Sequence, residues 1–182
     1  MKITAVEAIV LRLPDVNASC DGTQDTCLIR IDTEAGITGW GEVDSCPTVV
    51  KAVVDAPLSH QICNGLANVL VGQDALDLPT CTTRMDEAMN YYGRVGVGSH
   101  AMAGVNQALW DIAGKAADKP IYELHGGPAK TSFRAYCSIL FGDTPQETYE
   151  LARKFTDLGF TAIKFGWGPM GQSEKTDIAL VR

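Results

Sequence analysis

The run VNQALWDIAGKAADKPIYELHGGP, residues 105–128, decides how this chain divides. Met102, Val105, Leu109, Ile112, Ala113 and Ala116 recur at three- and four-residue intervals, the period of one helix face. The spacing predicts an amphipathic helix over residues 99–117, with Ser99 as the N-cap because a serine oxygen accepts from the free N–H groups of a first turn. Lys119-Pro120 stops it, since proline has no N–H to donate and disfavours a helical residue before it. A short apolar turn (Ile121, Tyr122, Leu124) then runs into Gly126-Gly127-Pro128. Helix, stop and double glycine read as a junction, dividing the chain into residues 1–125 and 126–182.

The totals limit what such a chain does. A length of 182 residues with 46% hydrophobic content holds one large or two small domains with real cores. A net charge of −7 argues against a phosphate-binding face, so no nucleic-acid partner is expected. The apolar runs fall far short of a membrane span, so no membrane partner is expected either. The opening MKITAVEAIVLRLP has polar residues interleaved with apolar ones and fits a strand better than a signal peptide. Six cysteines (Cys20, Cys27, Cys46, Cys63, Cys81, Cys137) with no C-x-x-C pair therefore read as reduced thiols of a cytoplasmic protein, packing as small hydrophobes. His60, His100 and His125 do not pair with cysteines at zinc-ligand spacing.

From the N-terminus, residues 3–13 predict a strand with Ile3, Ala5, Ile9, Leu11 and Leu13 on one face, followed by a polar loop. Residues 27–33 alternate Cys27, Ile29 and Ile31 against Leu28, Arg30 and Asp32, and Glu34-Ala35-Gly36 turns them into a third strand over residues 37–43. Gly39 and Gly41, alternating with Trp40 and Glu42, predict close backbone approach on one face. Glu42 invites a catalytic role, and a structural one at a strand end is equally consistent. Helices are expected over about residues 48–55, 60–71 and 80–91. The glycine-rich GRVGVGS, residues 93–99, follows a helix and lacks a phosphate-loop pattern. After the junction come a buried strand (133–140), a helix opened by Thr144-Pro145, a second strand (160–165) and a helix beginning at Ser173. That order is the repeating unit of a parallel sheet.

Three runs carry a resemblance. ALWDIAGKA followed by P-[IV]-Y-x-L-x-GG, the TEAGITGWGEV run of residues 33–43, and LVGQD at 70–74 resemble the mandelate racemase/muconate lactonizing enzyme family of the enolase superfamily. The resemblance implies an α+β capping domain, with a three-stranded antiparallel sheet plus helices, followed by the first two βα units of an incomplete (β/α)-barrel. A full barrel takes about 250 residues, and only about 55 follow Gly127, so a truncated barrel is expected.

Enzymes of that superfamily remove the proton next to a carboxylate, and the enediolate is stabilised by Mg²⁺ and a lysine. The resemblance places three acidic Mg²⁺ ligands on the third to fifth barrel strands, beyond Arg182, so no metal ligand is assigned and no Mg²⁺ is expected on this chain alone. Lys164 does match. The second barrel strand of the mandelate racemase subgroup ends in K-x-K, here Lys164-Phe165-Gly166, which implies that Lys164 touches the substrate carboxylate and offsets enediolate charge. An exposed strand-end lysine with no such role is the plainer alternative. Gly166 replaces the second lysine, which weakens racemisation and favours dehydration of an acid sugar, a small hydroxy acid as substrate. Ser138 and Trp167 are further substrate-binding candidates, as are Asp21, Thr23 and Asp44 in two loops that the family closes over its site; polar loop residues are also often merely solvated. The alternatives are a racemase, epimerase or cycloisomerase of the same family; an inactive remnant forming a homo-oligomer through open barrel strands; and a chain completed by a separate one.

Overall fold

Three strands, β1 (Ile3–Arg12), β2 (Asp25–Thr33) and β3 (Thr38–Val43), form an antiparallel sheet in that order in the computed structural model, which describes residues 1–17, 24–60, 62–127 and 130–182. The central strand behaves as its alternation predicts: Cys27, Ile29 and Ile31 are fully buried, while Arg30 and Asp32 pair at 3.0 Å on the other side. The first strand does not. Its register with β2 slips between Ile3 and Ala5, and a one-residue slip moves every later side chain to the opposite face. Ile3 and Ala8 are therefore the buried residues, and Leu11 and Leu13 are exposed. Gly36, at φ 78°, closes the turn to β3 with its N–H donating to the Thr33 carbonyl at 3.0 Å.

Among the described residues five helices follow: α1 (Pro47–Asp55), α2 (Leu66–Leu70), α3 (Leu78–Ala88), α4 (Val97–Ala117) and α5 (Ile121–Leu124). The expected helix over residues 60–71 survives only as α2. Before it, Cys63 turns back and donates to the His60 carbonyl at 2.9 Å, and Gly65 donates to the Ala56 carbonyl at 3.0 Å. A side chain at Gly65 would meet the Ala56 backbone, so this close contact rather than helical propensity sets the chain path. Asp77 caps α3 by accepting from the Thr80 N–H at 3.2 Å. The helix at the junction starts earlier than expected: its N-cap is Gly96 at φ 64°, and Ser99 instead donates its hydroxyl to the Arg94 carbonyl. Its C-cap Asp118 adopts the left-handed conformation, at φ 51°, just before Lys119-Pro120.

Helix α4 buries Val105, Leu109 and Ile112 against the sheet. Gly39 and Gly41 let it come close, because a β-carbon on either would strike the carbonyl oxygen of Ala108 or Gly104 respectively. The same helix then satisfies the outer edge of β3. Gln107 accepts from the Glu42 N–H at 3.1 Å, and Asp111 accepts from the Trp40 N–H at 2.8 Å. Lys115 donates to the Thr38 carbonyl at 2.8 Å and to Asp111 at 2.7 Å. Three side chains at four-residue spacing, one helix row, thus replace a fourth strand and close an edge that would otherwise be free to pair.

The N-terminal ammonium pairs with Asp74 at 3.0 Å. The Leu76 N–H donated to Asp74, reinforced by that ammonium, holds its carboxyl below the usual carboxylate range. A depressed carboxyl stabilises the fold above its unfolded pKa, about 3.9, and that contribution fades as pH falls through the lower folded value. Thermal melts of Asp74→Asn and wild type should therefore differ at pH 6 and converge below about pH 4; a gap that persists or widens in acid would contradict this assignment.

The described chain divides into two compact units, Met1–Ala129 and Lys130–Arg182. In the second, β4 (Cys137–Leu140), α6 (Pro145–Asp157), β5 (Ile163–Gly166) and α7 (Glu174–Val181) form two βα units whose strands pair in parallel. Thr144 caps α6 by accepting from the Glu147 N–H at 3.2 Å, and Ser173 caps α7 by accepting from the Thr176 N–H at 3.2 Å. Both strands are shorter than the apolar runs predict. Arg134 bonds the Thr161 side chain and carbonyl at 2.8 and 2.7 Å, joining the two segments ahead of the ladder. No helix among the described residues is long and apolar enough to cross a membrane.

Candidate functional site

Parallel pairing fixes which residues of the second unit stand together. The register aligns Cys137 with Ile163, Ser138 with Lys164, Ile139 with Phe165 and Leu140 with Gly166. Partners in a parallel ladder share a face and successive residues alternate, so Ser138 and Lys164 are neighbours on one side. That side is the exposed one for both residues, whereas Cys137 opposite is 8% exposed. A hydroxyl and an ammonium at neighbouring positions of one face are both able to donate to an oxyanion, and the cation attracts a carboxylate.

Trp167 begins the loop after β5, at the carboxyl end of the parallel pair, where ligands of such sheets gather. It is 68% exposed and has a left-handed backbone, at φ 56°. The adjoining loop is packed down: a β-carbon on Gly168 would lie 3.3 Å from the Phe141 side chain, and Phe141 stacks on Phe165 with ring centres 5.2 Å apart. A separate cleft of about 550 Å³ runs between α6, α7 and β5, lined by Phe141, Tyr149, Phe165 and Leu180. Lys164 contributes to it, but Ser138 and Trp167 do not, and its largely aromatic and aliphatic walls read as inter-helix packing space rather than a polar binding site.

The capping-loop candidates lie in the first unit. Asp44 is exposed directly after β3. Asp21 and Thr23 lie outside the described residues. Glu42 has a structural part: its N–H is taken by Gln107, and its carboxylate accepts from the Thr26 hydroxyl at 2.8 Å. It also lines an open groove of about 530 Å³ with Arg12, Gln24, Asp25 and Thr26. Arg12 was not among the residues singled out from sequence; its signal was a charged residue ending a strand opposite Asp25, which it approaches at 4.0 Å.

Burial pushes the Cys27 and Cys81 thiols up, with Asp77 and Asp74 adding to the effect at Cys81. Both stay protonated at neutral pH and pack as small apolar groups. Among the described residues no three His, Cys, Asp or Glu side chains are gathered closely enough to hold a metal ion. As a set they do not fit a Mg²⁺ site.

Residues 3–126 match the mandelate racemase/muconate lactonizing enzyme N-terminal domain. A D-galactonate dehydratase from Pectobacterium atrosepticum is 35% identical over 158 residues, covering 84% of this chain and 38% of that protein. The crystal structure of a predicted mandelate racemase from Rhodobacter sphaeroides superposes with a TM-score of 0.84 at 35% identity, over 99% of this chain and 46% of the other. A mandelate racemase/muconate lactonizing protein from Paracoccus denitrificans, complexed with magnesium, matches at a TM-score of 0.70 and 29% identity, over 91% of this chain and 42% of that one. The chain thus spans under half the length of these relatives. Its sheet, its glycine-spaced third strand and its junction helix are those of a capping domain, and the chain belongs to the mandelate racemase/muconate lactonizing enzyme family of the enolase superfamily.

Proposed function

We propose that this chain forms the capping domain and the first two βα units of an enzyme that abstracts the proton α to the carboxylate of an acid sugar and expels the neighbouring hydroxyl as water. The pairing of Ser138 with Lys164 on one exposed face carries this reading. The Lys164 ammonium holds the substrate carboxylate, and Ser138 donates a second hydrogen bond. As the α-proton passes to a base that the family resemblance places on a later barrel strand, charge spreads onto the carboxylate oxygens, and a cation already fixed beside them stabilises that state more than the ground state. Loss of the β-hydroxyl as water then leaves an enol that tautomerises to the 2-keto-3-deoxy acid. Gly166 ends the strand where a second lysine would serve a racemase, which favours the lyase. The similarity to D-galactonate dehydratases points the same way. Asp44, with Asp21 and Thr23 outside the described residues, is proposed as substrate-binding on the family resemblance alone.

The described acids gather no Mg²⁺ site, so this chain by itself is expected to bind an acid sugar without turning it over. Titration of the 182-residue protein with sodium D-galactonate, followed by amide NMR, should shift Ser138 and Lys164. Lys164→Gln should weaken binding about tenfold or more, the worth of one charge-assisted hydrogen bond. Equal affinity in Lys164→Gln would remove Lys164 from the site. Formation of 2-keto-3-deoxy acid by the 182-residue protein with MgCl₂ would overturn the expected inactivity.

A further inference from the structure

Trp167 is explained by neither packing nor turn chemistry. Its side chain is 68% exposed, so it contributes little to the core of its unit. Its backbone sits at φ 56°, a region that a bulky residue enters at a cost and that glycine enters freely. Glycines flank it at Gly166 and Gly168, so the loop already contains residues suited to such a turn. The strained conformation is held from both sides. The Phe141 N–H donates to the Gly166 carbonyl at 3.2 Å, Gly168 rests against Phe141, and the Gly171 N–H donates to the Asp177 carboxylate at 2.9 Å. A strained, exposed aromatic residue on a pinned loop is a feature of sites where a side chain is presented to a ligand.

We propose that Trp167 is a specificity-determining residue: its indole stacks on the C–H face of a polyhydroxylated carboxylate whose carboxyl end is held at Lys164. The inference rests on the carboxylate reading of Lys164 given above. Two residues, Phe165 and Gly166, lie between the two positions, which puts their backbones at most about 10 Å apart at strand rise, so one short ligand can extend from one to the other. An acid sugar has a charged end and a carbon chain whose C–H bonds present an apolar face; an indole offers a large flat surface at low conformational cost. Lys164 alone does not tell acetate from an aldonate. Lys164 with Trp167 does, because only the longer chain covers the ring.

The test is amide and indole NMR on the 182-residue protein, with sodium D-galactonate and sodium acetate as probes. D-galactonate should shift the Trp167 indole N–H saturably, together with the Ser138 and Lys164 amides, while acetate shifts only the latter two. Trp167→Ala should lower D-galactonate affinity about tenfold, to near that of acetate, with acetate binding unchanged. Trp167→Gly should do the same while keeping the melting temperature close to wild type, because relief of the left-handed backbone offsets the greater freedom of glycine in the unfolded chain, showing that the loss is not one of folding. If Ser138 and Lys164 respond but the indole does not, or if Trp167→Ala binds D-galactonate like wild type, the stacking role is overturned and the carboxylate site stands. If no signal moves, both readings fall.

Discussion

Gly41→Ala will cost the first unit about 3 kcal/mol or more, the upper end of what overpacking does in a core. The obstacle is backbone: the new methyl group would sit on the Gly104 carbonyl oxygen, with the Gly104 carbonyl carbon 3.0 Å away. To accept it, α4 must back off from β3, which also stretches the Trp40–Asp111 and Glu42–Gln107 hydrogen bonds. Gly104→Ala faces a different obstacle in the same interface, since its β-carbon meets the Val43 and Ile29 side chains, the latter at 3.1 Å. Side chains can be shortened and backbone cannot. Val43→Ala should therefore recover part of the loss in Gly104→Ala and none of that in Gly41→Ala. Urea unfolding of the four variants reads this directly. A Gly41→Ala protein within about 0.5 kcal/mol of wild type, the range of harmless surface changes, would show that helix and strand are not in the close contact described.

Ile112→Ala should cost about 2–5 kcal/mol, the usual range for emptying a fully buried isoleucine site. Its side chain covers Gly39, whose absent β-carbon would lie 2.6 Å from Ile112 Cγ1. The void is not easily refilled, since Gly39 has no side chain to move into it and the Ala108 carbonyl blocks the backbone from closing. Gly39→Ala added to Ile112→Ala should consequently destabilise further rather than fill the gap, because the new methyl group still strikes Ala108. Recovery of stability in the double variant would mean that the helix shifts to accommodate it. Against a typical total of 5–15 kcal/mol, either loss leaves the fold marginal.

Much of the architecture was legible because it is written in local chemistry. The alternation of β2, the proline and glycine stops, and the caps at Thr144 and Ser173 each depend on residues within one turn or one strand of each other. The family was legible for the same reason: its signatures are short runs. Where the reading and the structure part, a distant contact intervened. The slip between Ile3 and Ala5 against β2 exchanged the faces of β1, and Gly65 against Ala56 shortened α2; the cap, by contrast, moved from Ser99 to Gly96 locally, with the Ser99 hydroxyl donating to the Arg94 carbonyl instead.

The candidate site residues divide along the same line. The family resemblance nominated Lys164, through a three-residue run, and Ser138 and Trp167, through their places at strand ends. Sequence alone showed that Gly39 and Gly41 mark a close approach. Only the tertiary structure named what approaches: Gly104 and Ala108 of α4, with Gln107, Asp111 and Lys115 completing the strand edge. Only the register of β4 with β5 put Ser138 beside Lys164 rather than on the opposite face. The physical reason is separation along the chain. A hydrophobic period or a cap is set by neighbours a few residues apart, whereas Ser138 and Lys164 meet only through a crossover whose alignment is chosen by the packing of α6 and the two strands, and a one-residue change in that alignment would part them.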